Sequence, residues 1–223
     1  ATTLGLYQEC PRCFWLHMRA GVKRPARPFP SITRGIDRVV QAACDDYRPY
    51  FPPLLAAAIQ ENSLLDGFME LADPKIAFLR AYGDPAVALV GRLDDVVFLA
   101  GGHVAPLDHK SRGSRPATGY SAQYYQLQMD VYALLLQQNG YSVAPCAYLA
   151  YYYPVSEPPP LLLNTGFPFG CAVEALPVSS VRAEATYHAA CACLAGDCPV
   201  EPAQTCTYCE WISAALTYPM ARR

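Results

Sequence analysis

The sequence has 223 residues, a length that suits one sizeable domain or one domain with extensions. Its composition is 52% hydrophobic and 16% charged, which allows a buried core, and no apolar run is long enough to span a bilayer. The net charge of −2 gives no sign of a protein that binds nucleic acid through bulk positive charge. The first residues lack the basic-then-apolar layout of a secretory signal. Ten cysteines without such a signal favour a reducing, cytoplasmic compartment over a disulfide scaffold.

The N-terminal third of the chain is predicted to be mainly helical. Apolar periodicity and the positions of prolines define its segments. They are a helix over Leu4 to Ala20 entered through Cys10-Pro11, a loop from Pro25 to Pro30, a helix from Thr33 to about Arg48 capped by Ser31, and a mostly helical stretch from Leu54 to Tyr82.

The rest of the chain alternates between strand-like and helical segments. In order, these are strands over Pro85 to Val90, Arg92 to Leu99 and His103 to Lys110, a helix over Tyr120 to Asn139, a strand over Cys146 to Tyr153, an appended hairpin of Leu161–Leu163 and Ala172–Leu176, and a helix over Val178 to Leu194. Gly101-Gly102 is a two-residue hairpin signal between the second and third strands. The order helix, three strands, helix, strand predicts an α/β sandwich.

Charged side chains are concentrated in the predicted hairpin. Asp108 and Lys110 share one face of their strand and His109 takes the other, because side chains alternate along a strand. The hairpin also brings Asp94 and Asp95 alongside Asp108, and the pattern alone does not decide which of the two neighbours points inward. Carboxylates in an apolar hairpin need a partner, and Mg²⁺ or Mn²⁺ suits their oxygen atoms. A salt-bridged hairpin is the alternative.

Two CxxC motifs stand at opposite ends of the chain, Cys10-Pro-Arg-Cys13 and Cys206-Thr-Tyr-Cys209. Each places two sulfur atoms on one centre, and four thiolates suit either zinc or an iron–sulfur cluster. A redox CxxC pair is the alternative reading. If the distant pairs share one metal, they join the two ends of the chain.

Basic residues are concentrated where phosphate contacts are plausible. The segment from Cys10 to Ile36 has no Asp or Glu but contains Arg12 and Arg34, and the loop after the hairpin contains Arg112 and Arg115. Such local bands can contact the phosphate backbone of DNA although the whole protein is slightly acidic. A solvated basic arm is the alternative.

Gly91-Arg-Leu-Asp94 followed by Asp108-His-Lys110 resembles the PD-(D/E)XK nuclease superfamily. Gln128-Met-Asp-Val-Tyr132 lies in the helix after the hairpin, where Gln128 and Tyr132 are similar to an element of the RecB-like branch of that superfamily. The CxxC pairs resemble those branch members, including CRISPR-adaptation exonucleases, that carry a cysteine-bound iron–sulfur cluster.

The resemblance implies roles for these residues. Asp94, Asp108 and the His109 carbonyl would bind Mg²⁺ or Mn²⁺, Lys110 would orient the attacking water, and Gln128 and Tyr132 would border the active site. Many RecB-like nucleases carry a histidine ligand four residues after a glycine, but here that place after Gly35 is Val39. Asp37 is the nearest substitute.

The resemblance also implies a cluster ligand set, from which this chain departs. The usual third C-terminal cysteine is missing after Cys209. Either Cys13 or Cys198 would replace it, with Cys13 favoured, and zinc becomes a rival to [4Fe–4S].

The expected fold is therefore α/β with a restriction-endonuclease-like core over about 31–154. Residues 1–30 and 178–211 would form the cysteine clamp of a single nuclease domain spanning 1–223. The implied function is a metal-dependent nuclease that acts on single-stranded DNA or DNA ends in repair, recombination or CRISPR adaptation. The implied partners are DNA and a repair or CRISPR-adaptation complex. The alternatives are a catalytically silent nucleic-acid-binding module and an assembly subunit of the same fold.

Overall fold

The computed structural model describes residues 2–25, 31–62, 67–80, 83, 87–155, 168–199 and 201–217. Internal contacts divide the chain into two compact units. One unit is Phe29–Val181, and the other combines the terminal segments Ala1–Pro28 and Arg182–Arg223. The expectation of one nuclease domain over the whole chain stays a prediction.

The described helices and strands have the following bounds. The helices are α1 (Thr2–Glu9), α2 (Pro11–Arg19), α3 (Ser31–Tyr47), α4 (Pro53–Gln60), α5 (Tyr120–Gln138), α6 (Ser180–Ala195) and α7 (Thr207–Thr217), with a 3₁₀ turn at Pro74–Ala77. The strands are β1 (Phe68–Leu71), β2 (Phe78–Arg80), β3 (Val90–Arg92), β4 (Asp95–Leu99), β5 (Val104–Ser111), β6 (Cys146–Pro154) and β7 (Phe169–Pro177). No described helix is both long and apolar enough to cross a membrane.

The larger unit is built on a five-stranded sheet in the order β1-β4-β5-β6-β7, with β2 and β3 forming a separate pair. Neighbouring strands are antiparallel except β5 and β6, which run parallel. A parallel pair needs a long crossover, and α5 supplies it. The sheet flanked by helices confirms the predicted mixed α/β class, in the restriction-endonuclease-like arrangement.

Side-chain alternation separates the two faces of the central strands. Ala105 and Leu107 of β5 belong to a buried core that also contains Cys44 of α3 and Leu55 of α4. The opposite face is turned towards α5, whose residues from Met129 to Leu136 are buried. Because β5 lies in the middle of the sheet, its end is the place where α3, β4 and α5 side chains can meet.

The sequence predicted the centre of this unit better than its flanks. The hairpin, the long helix and the buried strand are confirmed as β4–β5, α5 and β6. The mostly helical interpretation of Leu54 to Tyr82 is wrong, since α4 ends at Gln60 and β1 pairs antiparallel with β4. Pairing with a sheet edge outweighs local helical pattern here.

The first predicted helix also differs from the structure. The single helix predicted over Leu4 to Ala20 is in fact two helices, because Cys10 is extended (φ −164°, ψ 108°) and Pro11 begins α2. The predicted segments Pro25–Pro30, Pro85–Val90 and Leu161–Leu163 lie partly or wholly outside the described residues.

Candidate active site and cysteine centre

The carboxylates and the lysine of the charged hairpin meet at the end of β5. Asp94 lies between β3 and β4, and its Oδ2 accepts a hydrogen bond of 3.1 Å from the backbone N–H of His109. Lys110 Nζ forms an ion pair with Asp108 Oδ2. The His109 side chain points to the opposite face, as strand alternation predicts. The hydrogen bond therefore fixes Asp94 against the strand that carries Asp108 and Lys110.

Asp108 is the most buried of these groups, with 1% of its surface exposed. Burial raises the pKa of Asp108 to about 6, the Lys110 ammonium offsets part of that rise, and the Asp94 charge adds to it. Apart from its ion pair with Lys110, the Oδ2 atom of Asp108 has no hydrogen-bond partner among the described residues. A buried carboxylate with this spare acceptor fits a divalent cation, which would favour the ionised form.

Helix α5 supports Asp108 through the two residues predicted to share a helix face. The Gln128 amide donates to Asp108 Oδ1 at 2.8 Å and to the Tyr132 hydroxyl at 3.0 Å. Tyr132 in turn donates to the carbonyl oxygen of Arg92 at 3.0 Å. This chain of hydrogen bonds connects β5 to the end of β3, two residues before Asp94.

A cavity of about 420 Å³ opens over this cluster. Asp37 of α3 lies in its wall and accepts a hydrogen bond of 2.6 Å from the Ser111 hydroxyl. Lys110 Nζ lies 4.8 Å from the centre of the Tyr125 ring on the α5 side. The lining residues are Thr33, Asp37, Gln41, Asp94, His109, Lys110, Ser111 and Tyr125.

Asp95 takes no part in this wall and is 2% exposed. It forms an ion pair with Arg48, which directly follows α3, and accepts a hydrogen bond of 2.9 Å from His109 Nε2. Burial lowers the pKa of His109, but Asp95 and Cys44 outweigh that effect and raise the pKa to about 10. Asp94 and Asp95 thus point into different surroundings, and Asp94 is the one beside Lys110.

Two groups of at least three donor side chains are compact enough to hold a metal among the described residues. One is Cys44, Asp95 and His109, and the other is the set of four CxxC cysteines. In the first group, Asp95 is already paired with the Arg48 guanidinium and with the protonated His109 ring. The negative charge of Asp95 is therefore balanced without a metal ion. Asp37, Asp94 and Asp108 do not form a third compact group within the described ranges.

The four CxxC cysteines, all buried, converge in the smaller unit. Their sulfur atoms lie within 4.8 Å of one another, and the fourth-ligand candidate Cys198 is not in the group. The first cysteine of each motif immediately precedes a helix, Cys10 before α2 and Cys206 before α7. The second cysteine, Cys13 or Cys209, lies in the first turn of the same helix. Helix N-termini carry partial positive charge, which favours thiolates at this place.

Two features beside the cysteine centre favour negative charge, the Arg24 side chain and hydrogen bonds from the backbone. Arg24 donates from Nη2 to Cys206 Sγ at 3.4 Å and lies over the Tyr208 ring, 4.6 Å from its centre. Burial raises the pKa of Cys10, but hydrogen bonds from the backbone of Ala203 and Cys13 outweigh it and lower the pKa to about 7. The pKa of Cys10 therefore lies near neutral pH, whereas burial raises the pKa of Cys13 and of Cys209.

The four arginines predicted to contact nucleic acid occupy different settings. Arg112 stacks over the Tyr120 ring, 3.8 Å from its centre, at the end of β5. Arg34 on α3 is exposed, and so is Arg115 in the loop between β5 and α5. Arg12 lies in α2, which belongs to the smaller unit. The structure thus places Arg112 in contact with an aromatic residue of α5.

Several supporting residues carry no sequence signal that would have identified them. Arg48 and Cys44 reach Asp95 and His109 only through the packing of α3 on the sheet. Arg24 lies in the predicted basic band, but its contact with a cysteine could not be read from that band.

The fold and the site together define a restriction-endonuclease-like protein with an Asp–Asp-x-Lys cluster at the sheet. A model of the PD-(D/E)XK nuclease superfamily matches residues 47–214, which is most of the chain. The chain belongs to this superfamily. The match includes Cys206 and Cys209 but begins after Asp37 and the first CxxC pair. A comparison with curated proteins found no match.

Proposed function

We propose that this protein is a metal-dependent deoxyribonuclease that hydrolyses phosphodiester bonds at the Asp94–Asp108–Lys110 cluster. Members of the superfamily usually are nucleases that use divalent metal ions, which supports a nuclease-type function. The observation that carries the proposal is the meeting of both carboxylates and the lysine, with Gln128 on Asp108, beside a cavity of about 420 Å³.

Asp94 and Asp108 are the proposed ligands of Mg²⁺ or Mn²⁺, with the His109 carbonyl and Asp37 as further donors. The cation, when bound, would neutralise phosphate oxygens and lower the pKa of a water molecule. Gln128 keeps Asp108 oriented, because its amide holds Oδ1 and leaves Oδ2 facing the lysine. Tyr132 fixes Gln128 in turn, so the pair has a positioning role.

Lys110 is the proposed electrostatic catalyst. Its ammonium lies between Asp108 and the Tyr125 ring, on the wall of the cavity. From there it can donate a hydrogen bond to the attacking water or to the developing negative charge on the phosphate. Loss of one such donor typically lowers turnover by about 10²- to 10³-fold.

The substrate we propose is DNA, in the form of single strands or ends, in repair, recombination or CRISPR adaptation. This finer assignment, and with it exonuclease activity, is supported by the resemblance of Gln128 and Tyr132 to an element of the RecB-like branch. Arg34, Arg112 and Arg115 are the proposed phosphate contacts of the larger unit, and Arg12 that of the smaller one.

The cysteine centre is proposed to hold a metal, either a [4Fe–4S] cluster or zinc, that stabilises the smaller unit. Four buried thiols grouped around two helix N-termini fit a metal-thiolate site. None of the ten cysteines forms a disulfide with another, which supports the proposed cytoplasmic location.

The test is cleavage of end-labelled single- and double-stranded DNA with Mg²⁺ or Mn²⁺. Wild type, Lys110→Ala and Lys75→Ala are compared, since Lys75 is an exposed lysine outside the cavity wall. Metal-dependent cutting that is lost only in Lys110→Ala is the expected result. Binding without cutting by the folded wild type would instead favour a silent binding module, and a stable copurifying partner would favour an assembly subunit.

A further inference from the structure

We infer that the four-cysteine centre holds one mononuclear zinc ion rather than an iron–sulfur cluster. This decides between the two candidate metals for the same site. It does not depend on nuclease activity.

The separations of the sulfur atoms carry this inference. Cys13 Sγ lies 3.5 Å from Cys209 Sγ and 3.7 Å from Cys206 Sγ, and Cys10 Sγ lies 3.9 Å from Cys209 Sγ. All four sulfurs lie within 4.8 Å of one another. The set therefore approximates a small tetrahedron of sulfur atoms.

A single tetrahedral ion requires such a tetrahedron. Four thiolates bound at about 2.3 Å from one zinc ion lie about 3.8 Å apart. In a [4Fe–4S] cube each thiolate binds a different iron at its own corner, which places the thiolate sulfurs more than about 6 Å apart. The observed separations match the first arrangement and leave no room for a cube between the four sulfurs.

The surroundings agree with a compact, doubly negative metal-thiolate centre. Four thiolates around one divalent ion carry two excess negative charges, which need compensation in a buried place. The N-termini of α2 and α7 and the Arg24 guanidinium supply it, since Arg24 donates directly to Cys206 Sγ. Zinc fits because it accepts a closed tetrahedral set of four cysteines as a structural ion.

The experiment is metal and sulfide analysis of the full-length protein purified without oxygen, combined with zinc-edge X-ray absorption. We expect one zinc per chain, no acid-labile sulfide, and one shell of sulfur at about 2.3 Å. Replacement by Co²⁺ should give the visible ligand-field bands of a tetrahedral thiolate site. Cys13→Ser should lose stoichiometric zinc, whereas Cys198→Ser should retain it.

Three results would overturn the inference. Iron and sulfide in equal amounts near four per chain, with a brown colour, would establish the cluster. One iron without sulfide would overturn the choice of zinc, and a folded wild type that takes up no zinc on titration would exclude the centre altogether. Because the wild type decides each case, a Cys13→Ser variant that fails to fold does not affect the outcome.

A different observation carries a second inference, which rests on the proposed function. We propose that Tyr120 and Tyr124 of α5, with Arg112, form a platform on which unpaired bases stack. Tyr120 and Tyr124 are 4.5 Å apart by ring centres, and Arg112 covers the Tyr120 ring at 3.8 Å. Tyr124 is 58% exposed.

The platform is continuous with the active-site cavity. The Tyr120 ring centre is 6.0 Å from that of Tyr125, which lies in the cavity wall beside Lys110. Exposed aromatic rings beside cationic side chains bind single strands, because every base has a face that stacks and every phosphate is negative. In a duplex, stacking between neighbouring base pairs makes these faces unavailable, so the platform selects unpaired ends.

The test measures binding of a fluorescent single strand and of a blunt duplex in buffer without Mg²⁺ or Mn²⁺ and without a chelator, where metal-dependent cleavage is absent and the cysteine centre keeps its metal. Tyr124→Ala should weaken single-strand binding about 5- to 150-fold and leave duplex binding unchanged. Tyr124→Phe should bind like wild type. Tyr50→Ala is the control, since Tyr50 is 73% exposed and lies outside the cavity wall.

Equal loss on both DNAs, no loss in Tyr124→Ala, or no single-strand binding by wild type would overturn the platform. Failure of the nuclease proposal is recognised separately. In that case the platform would still bind single strands without Mg²⁺ or Mn²⁺, and no cutting would follow when either ion is added.

Discussion

The neighbouring residues Asp94 and Asp95 should respond in opposite ways to replacement by asparagine. Asp95→Asn removes the negative charge between Arg48 and His109, whose side chains are 13% and 8% exposed. Breaking a buried ion pair from one side costs about 3–5 kcal/mol, because the remaining charge stays buried without a partner. Asparagine can keep part of the hydrogen bonding, so we expect about 3 kcal/mol and a Tm lower by about 6–12 °C.

Asp94→Asn should leave the fold nearly unchanged and abolish metal-dependent cleavage. Asp94 is partly exposed, and an asparagine oxygen can still accept the hydrogen bond from the His109 N–H. The stability change should therefore remain within about 0.5 kcal/mol. Cleavage should fall by more than the roughly 10- to 100-fold that follows loss of an outer hydrogen bond to a metal ligand.

The assays are thermal unfolding followed by circular dichroism and cleavage of labelled DNA over a Mg²⁺ titration, at a temperature where both variants are folded. The reasoning would be refuted if Asp95→Asn were as stable as wild type. It would also fail if Asp94→Asn cut DNA at the wild-type rate.

Three further perturbations follow from the same structure. Gln128→Leu should raise the Mg²⁺ concentration needed for half-maximal cleavage about 10- to 100-fold, because Asp108 loses the amide that orients it; an unchanged midpoint would contradict this role. Gly91→Ala should cost about 1–3 kcal/mol in urea unfolding, because its Cβ would lie 2.5 Å from the buried Leu135 Cδ1. Gly113→Ala, with open space around its Cβ, is the control and should have little effect. Removing metal from the four-cysteine centre with a chelator should lower the Tm and expose the terminal segments to protease, and equal protease resistance with and without metal would argue against a structural ion.

Much of the candidate site could be predicted because its residues are related by short spacings. Alternation along β5 places Asp108 and Lys110 on one face and His109 on the other. The helical period brings Gln128 and Tyr132 within 3.0 Å of each other. The catalytic roles of these residues stay predictions, but their mutual placement follows from local backbone geometry.

The errors arose where partners far apart in sequence decide the local structure. The stretch around Phe68–Leu71 has a helical pattern, yet it forms a strand because the edge of β4 offers it backbone hydrogen bonds. Arg48 likewise directly follows α3, a helix without a sequence signal of function, and only the packing of that helix brings it to Asp95.

The sequence by itself therefore determined the class of fold, the Asp–Asp-x-Lys pattern and the two CxxC pairs, because periodicity and short spacings fix which side chains share a face. Only the tertiary structure decided between Asp94 and Asp95, since both stand next to the start of β4 and the choice depends on Arg48 and His109 across the sheet. It also decided that the two CxxC pairs meet, at separations of 3.5–3.9 Å. These contacts join cysteines nearly two hundred positions apart in the sequence. The distances between them depend on the packing of the helices that carry the cysteines.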